Sequence, residues 1–302
     1  MIRVATRGSA LARWQAERIG RLLGGDVEYV MVTTTGDRDR SSDLHLIGGQ
    51  GVFTKEVQQA VLDGAADVAV HSAKDLPSET PEGLLLAAVP ERGDPRDALV
   101  GSTLDALASG ATVGTGSVRR RSQLAALRPD LGFGPLRGNI ETRLRKRVEL
   151  GYDAVIVAAV ALQRLGLDDE TTDVLDPSMM LPQVGQGALA VECRDDDERT
   201  IGRLDAIDDR DARVCVEAER AFLAELGGGC SLPVGALASY ARLPGDDLPR
   251  LVLDALLASL DGHVVLRTRV TGDEPVDVGA TAAADLLDGK GGRELLDVAP
   301  SP

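Results

Sequence analysis

Along most of the chain, short apolar runs alternate with stretches whose apolar residues recur at helical spacing. Residues 2–6 read as a buried strand and Arg7-Gly8-Ser9 as the turn behind it. Ala12, Ala16, Ile19 and Leu23 then mark one helix face, with Ser9 as its N-cap and Gly24-Gly25 as its stop. Residues 27–35 predict a second strand. The glycine loop 48–51 opens a helix carrying Phe53, Val57, Ala60 and Val61 on one side, and Gly64 ends it. A third strand, 68–70, runs into His71-Ser72-Ala73-Lys74-Asp75. This alternation predicts a mainly parallel α/β sheet, which binds ligands at the carboxyl ends of its strands. Arg7, Ser9, Asp37 and residues 71–75 all fall there.

The prolines between 90 and 95 suggest a hinge, and a second α/β unit follows. Residues 112–115 read as a strand, 116–120 enter a helix that stops near Pro129, and Asn139 caps another with Ile140, Leu144 and Val148 inward. Residues 154–158 are again a strand. Residues 182–187 lead into a strand over 188–192 that crosses back to the first unit. Gly185-x-Gly187-x-x-Ala190 fits a dinucleotide fingerprint formally, but its glycines precede a strand, so that reading fails. A helix over 211–226 follows, with Val214, Ala218, Ala221 and Phe222 inward. Beyond the loop 227–235, three strands (236–241, 250–260, 264–270), a hairpin turn at Asp261-Gly262 and two short helices near 280–297 make a small α+β domain.

Charge sharpens this picture. The chain has 302 residues and a net charge of -15, which argues against nucleic acid or an anionic membrane as partner. Against that field, residues 117–147 hold eight arginines and one lysine but only Asp130 and Glu141 as acids, a local +7. Such a cluster reads as a carboxylate- or phosphate-binding surface, or in its helical part (Arg143, Arg147) as a solvated face. Arg119, Arg120 and Arg137, beside glycines at strand ends, favour the ligand. Only four of the 33 basic residues are lysines, and the aromatic share is 2%. That composition suggests a salt-loving source, although a GC-rich genome produces part of the same bias. No apolar run reaches membrane-spanning length and the N-terminus lacks an apolar signal core, so a cytoplasmic protein is expected.

Three cysteines (Cys193, Cys215, Cys230), widely spaced and odd in number, fit neither a disulfide framework nor a zinc site, and no metal is expected. Cys230 follows three glycines and precedes Pro233. It is either a buried small residue behind a helix cap or a covalent attachment point on a loop of free backbone. Asp75 with Lys74, many arginines and this thiol suit an acidic ligand whose reaction develops positive charge. Asp75 as an ordinary helix cap, and the chain as a non-catalytic two-domain binder of small acidic ligands, are the competing readings.

The residues that decide between them are Ala5-Thr6-Arg7-Gly8-Ser9, Gly48-Gly49-Gln50-Gly51-Val52-Phe53, His71-Ser72-Ala73-Lys74-Asp75-Leu76-Pro77, Asp94-Pro95-Arg96-Asp97, Leu136-Arg137-Gly138-Asn139, Val184-Gly185-Gln186-Gly187-Ala188 and Gly228-Gly229-Cys230. In these motifs and their order, over nearly the whole length, the chain resembles the porphobilinogen deaminase (hydroxymethylbilane synthase) family. The composition adds the expectation of a halophilic archaeal member.

The resemblance implies two periplasmic-binding-protein-like (type II) α/β domains around a cleft plus a small α+β C-terminal domain. Their expected bounds are 1–92 with 188–207, 96–182, and 210–302. It implies a dipyrromethane cofactor thioether-linked to Cys230, four porphobilinogen molecules added in turn with loss of ammonia, hydrolytic release of the linear tetrapyrrole, and a monomer. By position, Asp75 would be the catalytic carboxylate. Lys74, Ser72, Thr115, Ser117, Arg119, Arg120, Arg143 and Gly187 would hold the cofactor. Arg7, Ser9, Phe53, Arg137, Arg164 and Gln186 would serve the substrate. Two departures stand out: Gln50 where the family often has lysine, and Gly116 where it often has a serine that contacts a cofactor carboxylate.

Overall fold

The computed structural model describes residues 1–38, 51–227, 232–242 and 248–297. By internal contacts the chain divides into two compact units, residues 1–93 with 187–216, and 94–186 with 217–302.

The first unit starts with β1 (Ile2–Arg7), α1 (Ala10–Leu23), β2 (Val27–Val32), the single turn α2 (Thr35–Arg38), α3 (Lys55–Leu62), β3 (Val68–Ser72) and β4 (Leu84–Ala88). Ser9 caps α1 as expected, its hydroxyl accepting from the Ala12 N–H at 3.3 Å, and Gly24 ends the helix at φ 63°. Such a cap contributes about 1 kcal/mol. The second strand stops at Val32, so residues 33–35 leave the sheet earlier than their β-branched composition suggests, and residues 35–38 turn into α2. Here Glu56 draws the chain round, accepting from the Thr35 N–H at 2.7 Å and hydroxyl at 2.6 Å.

In the second unit lie β5 (Asp97–Val100), β6 (Thr112–Gly114), α4 (Val118–Leu127), β7 (Gly132–Gly134), α5 (Ile140–Glu149), β8 (Ala154–Ala158), α6 (Ala159–Leu165) and β9 (Asp173–Val174). Ser117 and Asn139 cap α4 and α5. Val148, expected inward on α5, is 71% exposed: the inward face of this helix narrows from buried Ile140 to half-buried Leu144 and ends there. The chain re-enters the first unit with β10 (Leu189–Arg194) and α7 (Glu198–Leu204). α8 (Arg210–Glu225) then leads to β11 (Val234–Ala241), β12 (Arg250–Ala258), β13 (Val265–Gly272), α9 (Pro275–Ala284) and α10 (Arg293–Asp297).

Both five-stranded sheets are mainly parallel, as expected, but each contains one reversed strand that the sequence did not reveal. Their orders are β2-β1-β3-β10-β4 and β7-β6-β8-β5-β9, and β11-β12-β13 form an antiparallel sheet of three. In each larger sheet four strands run in one direction, and the fourth in order (β10 or β5) runs against both its neighbours. Strand periodicity cannot reveal direction, because a strand buried on both faces looks alike either way. Ile2, Val4, Val68, Val70, Leu189 and Val191 fill the core of the first unit with Ala16 and Ile19 of α1. Leu99, Val113, Leu124, Ala154, Ile156 and Met180 do the same in the second. The architecture is α/β with two sheet-bearing units and a small α+β portion at the C-terminus.

Candidate functional site

In the first unit, the ends of β1 and β3 bring Arg7, Ser9, Phe53, Ser72 and Asp75 around a recess of about 60 Å³. Arg7 is the last residue of β1, and its guanidinium lies 4.2 Å from the centroid of the Phe53 ring. A cation over an aromatic face contributes about 0.5–1 kcal/mol at an exposed site and more when desolvated. Phe53 precedes α3 and is not part of its apolar face, as its spacing had suggested. Its ring packs on Gly36, where any Cβ would collide with it, and the Gly36 N–H donates to the Val52 carbonyl at 3.2 Å.

Ser72 closes β3, and its hydroxyl accepts from Gln15 Nε2 at 2.7 Å. Residues 73–75 make one 3-10 turn. The turn is fixed from beneath: the Ala73 N–H donates to Ala188 at 3.0 Å, and Ala73 and Leu76 are 3% and 7% exposed. Asp75 and Lys74 therefore stand half-buried on a rigid support. His71, in β3, lines the same recess but is only 5% exposed. Its Nε2 is 3.2 Å from Glu192 Oε2 of β10, an oxygen that accepts a hydrogen bond from Gln58 Nε2 at 2.9 Å.

In the second unit the predicted residues gather at the ends of β6 and β7. The Thr115 N–H donates to the Gly134 carbonyl at 2.9 Å, and the Thr115 hydroxyl accepts from the Ser117 N–H at 3.1 Å. At Gly116 a Cβ would come within 2.6 Å of the Leu136 carbonyl oxygen. The departure from serine thus coincides with a close approach of the two loops. Asp97, the first residue of β5, is fully buried, with Arg119 and Arg120 only 3% and 5% exposed. Its Oδ2 accepts from Arg119 Nη1 at 2.7 Å. Its Oδ1 accepts from Arg120 Nη2 at 2.7 Å, from Arg120 Nε at 3.0 Å and from Gln186 Nε2 at 2.9 Å.

Burial alone would push Asp97 upward, but the two guanidinium charges outweigh it and hold the carboxyl well below the usual range. Removing one member of a buried ion pair generally costs about 3–5 kcal/mol, because the other is left uncompensated. Arg119 keeps Nε and Nη2 buried with no hydrogen-bond partner among the described residues, and Arg137 keeps Nη1 in the same state. Nε and Nη2 form one edge of the guanidinium, the fork that grips a carboxylate with two parallel bonds. Unmet buried donors each cost about 1–3 kcal/mol, so this arrangement fits a ligand carboxylate.

The remaining basic residues divide by use. Arg143 Nε donates to the Gly138 carbonyl at 2.8 Å. Arg164, on α6, is drawn down by burial to about 10 and remains charged at neutral pH. Arg128 bonds Asp130 and the carbonyls of Leu104 and Leu107, and Arg145 pairs with Glu149. The +7 window is therefore only partly a ligand surface. Gly187 sits at φ 91° in the first unit, its carbonyl accepting from the Gly93 N–H at 3.1 Å.

Cys230 and Gln50 lie outside the described residues. Cys193 and Cys215 are buried, and burial pushes the Cys193 thiol up to about 11, far from the reactive thiolate form. Among the described residues no group of three or more His, Cys, Asp and Glu side chains could hold a metal ion, and no helix is long and apolar enough to cross a membrane.

Residues 2–202 match the family model described as the porphobilinogen deaminase dipyromethane cofactor binding domain, and residues 213–288 match the porphobilinogen deaminase C-terminal domain. The chain belongs to the porphobilinogen deaminase family. It is 47% identical to the porphobilinogen deaminase of Roseiflexus sp. (strain RS-1), over 97% of each chain. With that of Syntrophus aciditrophicus (strain SB) it shares 44% identity over 98% of each. Among solved structures it is similar to a periplasmic His/Glu/Gln/Arg/opine family-binding protein from Silicibacter pomeroyi, at 16% identity, over 68% of this chain and 88% of that one. The TM-score there is 0.36, too low to carry an argument. Family membership makes the chain a transferase of porphyrin biosynthesis with a dipyrromethane cofactor domain.

Sequence reasoning missed Asp97, Glu192 and Gln58 as members of buried polar clusters. It also missed Glu219, fully buried on α8, which accepts from the Gly185 N–H at 2.7 Å and the Ala238 N–H at 2.8 Å. A signal existed: Ala212, Cys215, Val216, Glu219 and Phe222 share the buried face of α8, and a carboxylate among them needs partners.

Proposed function

We propose that Asp75 is the carboxylate that carries the condensation of porphobilinogen units into hydroxymethylbilane, and that Cys230 holds the dipyrromethane primer. When bound, that primer supplies the nucleophilic pyrrole end to which each unit is added. Arg7, Ser9, Phe53, Arg137, Arg164 and Gln186 receive the substrate, whose two carboxylates suit guanidinium partners. Lys74, Ser72, Thr115, Ser117, Arg119, Arg120, Arg143 and Gly187 serve the primer. Asp75, on its fixed turn, faces the positive charge that develops on porphobilinogen as ammonia leaves, and a carboxylate there lowers the barrier by electrostatic stabilisation. Arg7, 4.2 Å from the centroid of the Phe53 ring, presents a charge beside an apolar side chain, a pairing that suits a pyrrole ring with acidic arms.

The observation that carries the primer assignments is the buried fork of Arg119, which has no hydrogen-bond partner among the described residues. Each charge-assisted hydrogen bond contributes about 1.5–3 kcal/mol, so losing a bidentate pair is worth tenfold or more in occupancy. Purified Arg119→Leu is expected to carry the primer on fewer than about one molecule in ten, given bonds of that strength. Intact mass reads this, with circular dichroism confirming the fold. Normal loading would remove Arg119 from the site.

The same reading includes a cytoplasmic monomer with three domains at the bounds expected above, no nucleic-acid or membrane partner, and a salt-adapted, archaeal origin. The net charge of -15 and the scarcity of lysine support salt adaptation. Screening shortens the Debye length from about 10 Å at 0.1 M salt to about 3 Å at 1 M, relieving repulsion among surplus carboxylates. Melting temperature and turnover are both expected to rise between those concentrations of KCl. A maximum of either in dilute buffer would contradict salt adaptation.

A further inference from the structure

Sequence and family position treat Arg119 and Arg120 as equivalent anion binders, but their bonding differs. Arg120 is committed within the protein: Nε and Nη2 to Asp97 Oδ1, and Nη1 to the Ile156 carbonyl at 3.2 Å. Arg119 commits only Nη1, which bonds Asp97 Oδ2 and the Leu181 carbonyl, both at 2.7 Å. Its Nε and Nη2 remain buried without a partner among the described residues. Asp97 is the common element, and with its single negative charge against two arginines the trio keeps a net +1.

We propose that Asp97 is a positioning residue: braced by Arg120 and Gln186, its carboxylate pins one end of Arg119 and aims the Nε–Nη2 edge at one carboxylate of the acidic ligand. Arg120 then serves the primer only indirectly, as a strut for Asp97, its Nε, Nη1 and Nη2 all bonded within the protein. This rests on the assignment of Arg119 to the primer made above. It explains why a carboxylate occupies the first position of a strand otherwise made of Ala98, Leu99 and Val100, where nothing apolar could fix a guanidinium in rotation.

Two measurements test it. In the wild-type chain, expressed without porphobilinogen and then supplied with it, arginine side-chain NMR follows the Nε–H groups of residues 119 and 120. The Arg119 signal is expected to move on loading while that of Arg120, bonded to Asp97 throughout, stays in place. An equal or larger movement of Arg120 overturns the proposal, and this result needs no variant to fold. The second measurement compares Asp97→Asn with Asp97→Asn/Arg120→Gln, which restores the net +1 without the carboxylate. If Asp97 aims Arg119, both variants carry the primer at least tenfold less often than wild type by intact mass, at equal porphobilinogen. Wild-type loading in the charge-balanced double variant would reduce Asp97 to a counter-charge and overturn the proposal. A wild-type chain that never gains mass from porphobilinogen would instead count against the primer reading itself, so the two failures are separable.

Discussion

Asp75→Asn is expected to lower turnover by about two to four orders of magnitude, the range typical of losing a catalytic acid–base or charge-stabilising group. Asparagine keeps the size and most of the hydrogen-bonding shape of the side chain, so the change isolates the charge. The fold is expected to survive, because what fixes the 3-10 turn is backbone and apolar: Ala73 to Ala188, and buried Ala73 and Leu76. The melting temperature is accordingly expected to stay within a few degrees, as is usual for a change outside the core. Asp75→Glu keeps the charge but displaces it, and an intermediate loss is expected. The decisive number is kcat at saturating porphobilinogen, on protein whose primer content has been checked by mass. Near-normal kcat in Asp75→Asn would mean the charge is not needed, and Asp75 would revert to an ordinary end-of-strand residue.

The elements and strand ends were legible because local chemistry made them so. Ser9, Ser117 and Asn139 cap helices where hydroxyls and amides precede apolar periodicity, and Gly24 and Gly151 adopt the positive φ that side chains resist. Arg7, Ser9, Ser72 and Asp75 could be placed together because strand ends in α/β sheets share one edge. What was not legible depends on pairing across long separations. Asp97 meets Gln186 from 89 positions away and Gln58 meets Glu192 across 134. No periodicity encodes such contacts. The antiparallel direction of β5 and β10 was hidden for the same reason, since their side chains are buried on both faces. The arginine window shows the limit most clearly: composition could count its charges but could not tell Arg119, with an open edge, from Arg120, with none.

That distinction among similar groups also governs the thiols. Cys230→Ser is expected to yield a protein lacking the mass of two porphobilinogen-derived units, with porphobilinogen consumption at background. Thioether attachment at Cys230 would need the sulfur as nucleophile, a C–S bond replacing the C–N bond of the substrate's aminomethyl carbon while the thiol proton leaves with the ammonia. A serine hydroxyl ionises far less readily than a thiol and is a weak nucleophile unless a base activates it. The other two thiols cannot stand in, because Cys193 and Cys215 are buried and the former is pushed up to about 11. The flanks of the thiol segment are firmly held: Gly227 ends the helix at φ 64°, its N–H on the Ala224 carbonyl, and the Pro233 carbonyl accepts from Ala258 at 3.0 Å. Serine in place of cysteine should therefore leave the melting temperature of the unloaded chain unchanged, which separates loss of attachment from loss of fold. An adduct that persists in Cys230→Ser would place the attachment elsewhere and overturn the role given to Cys230.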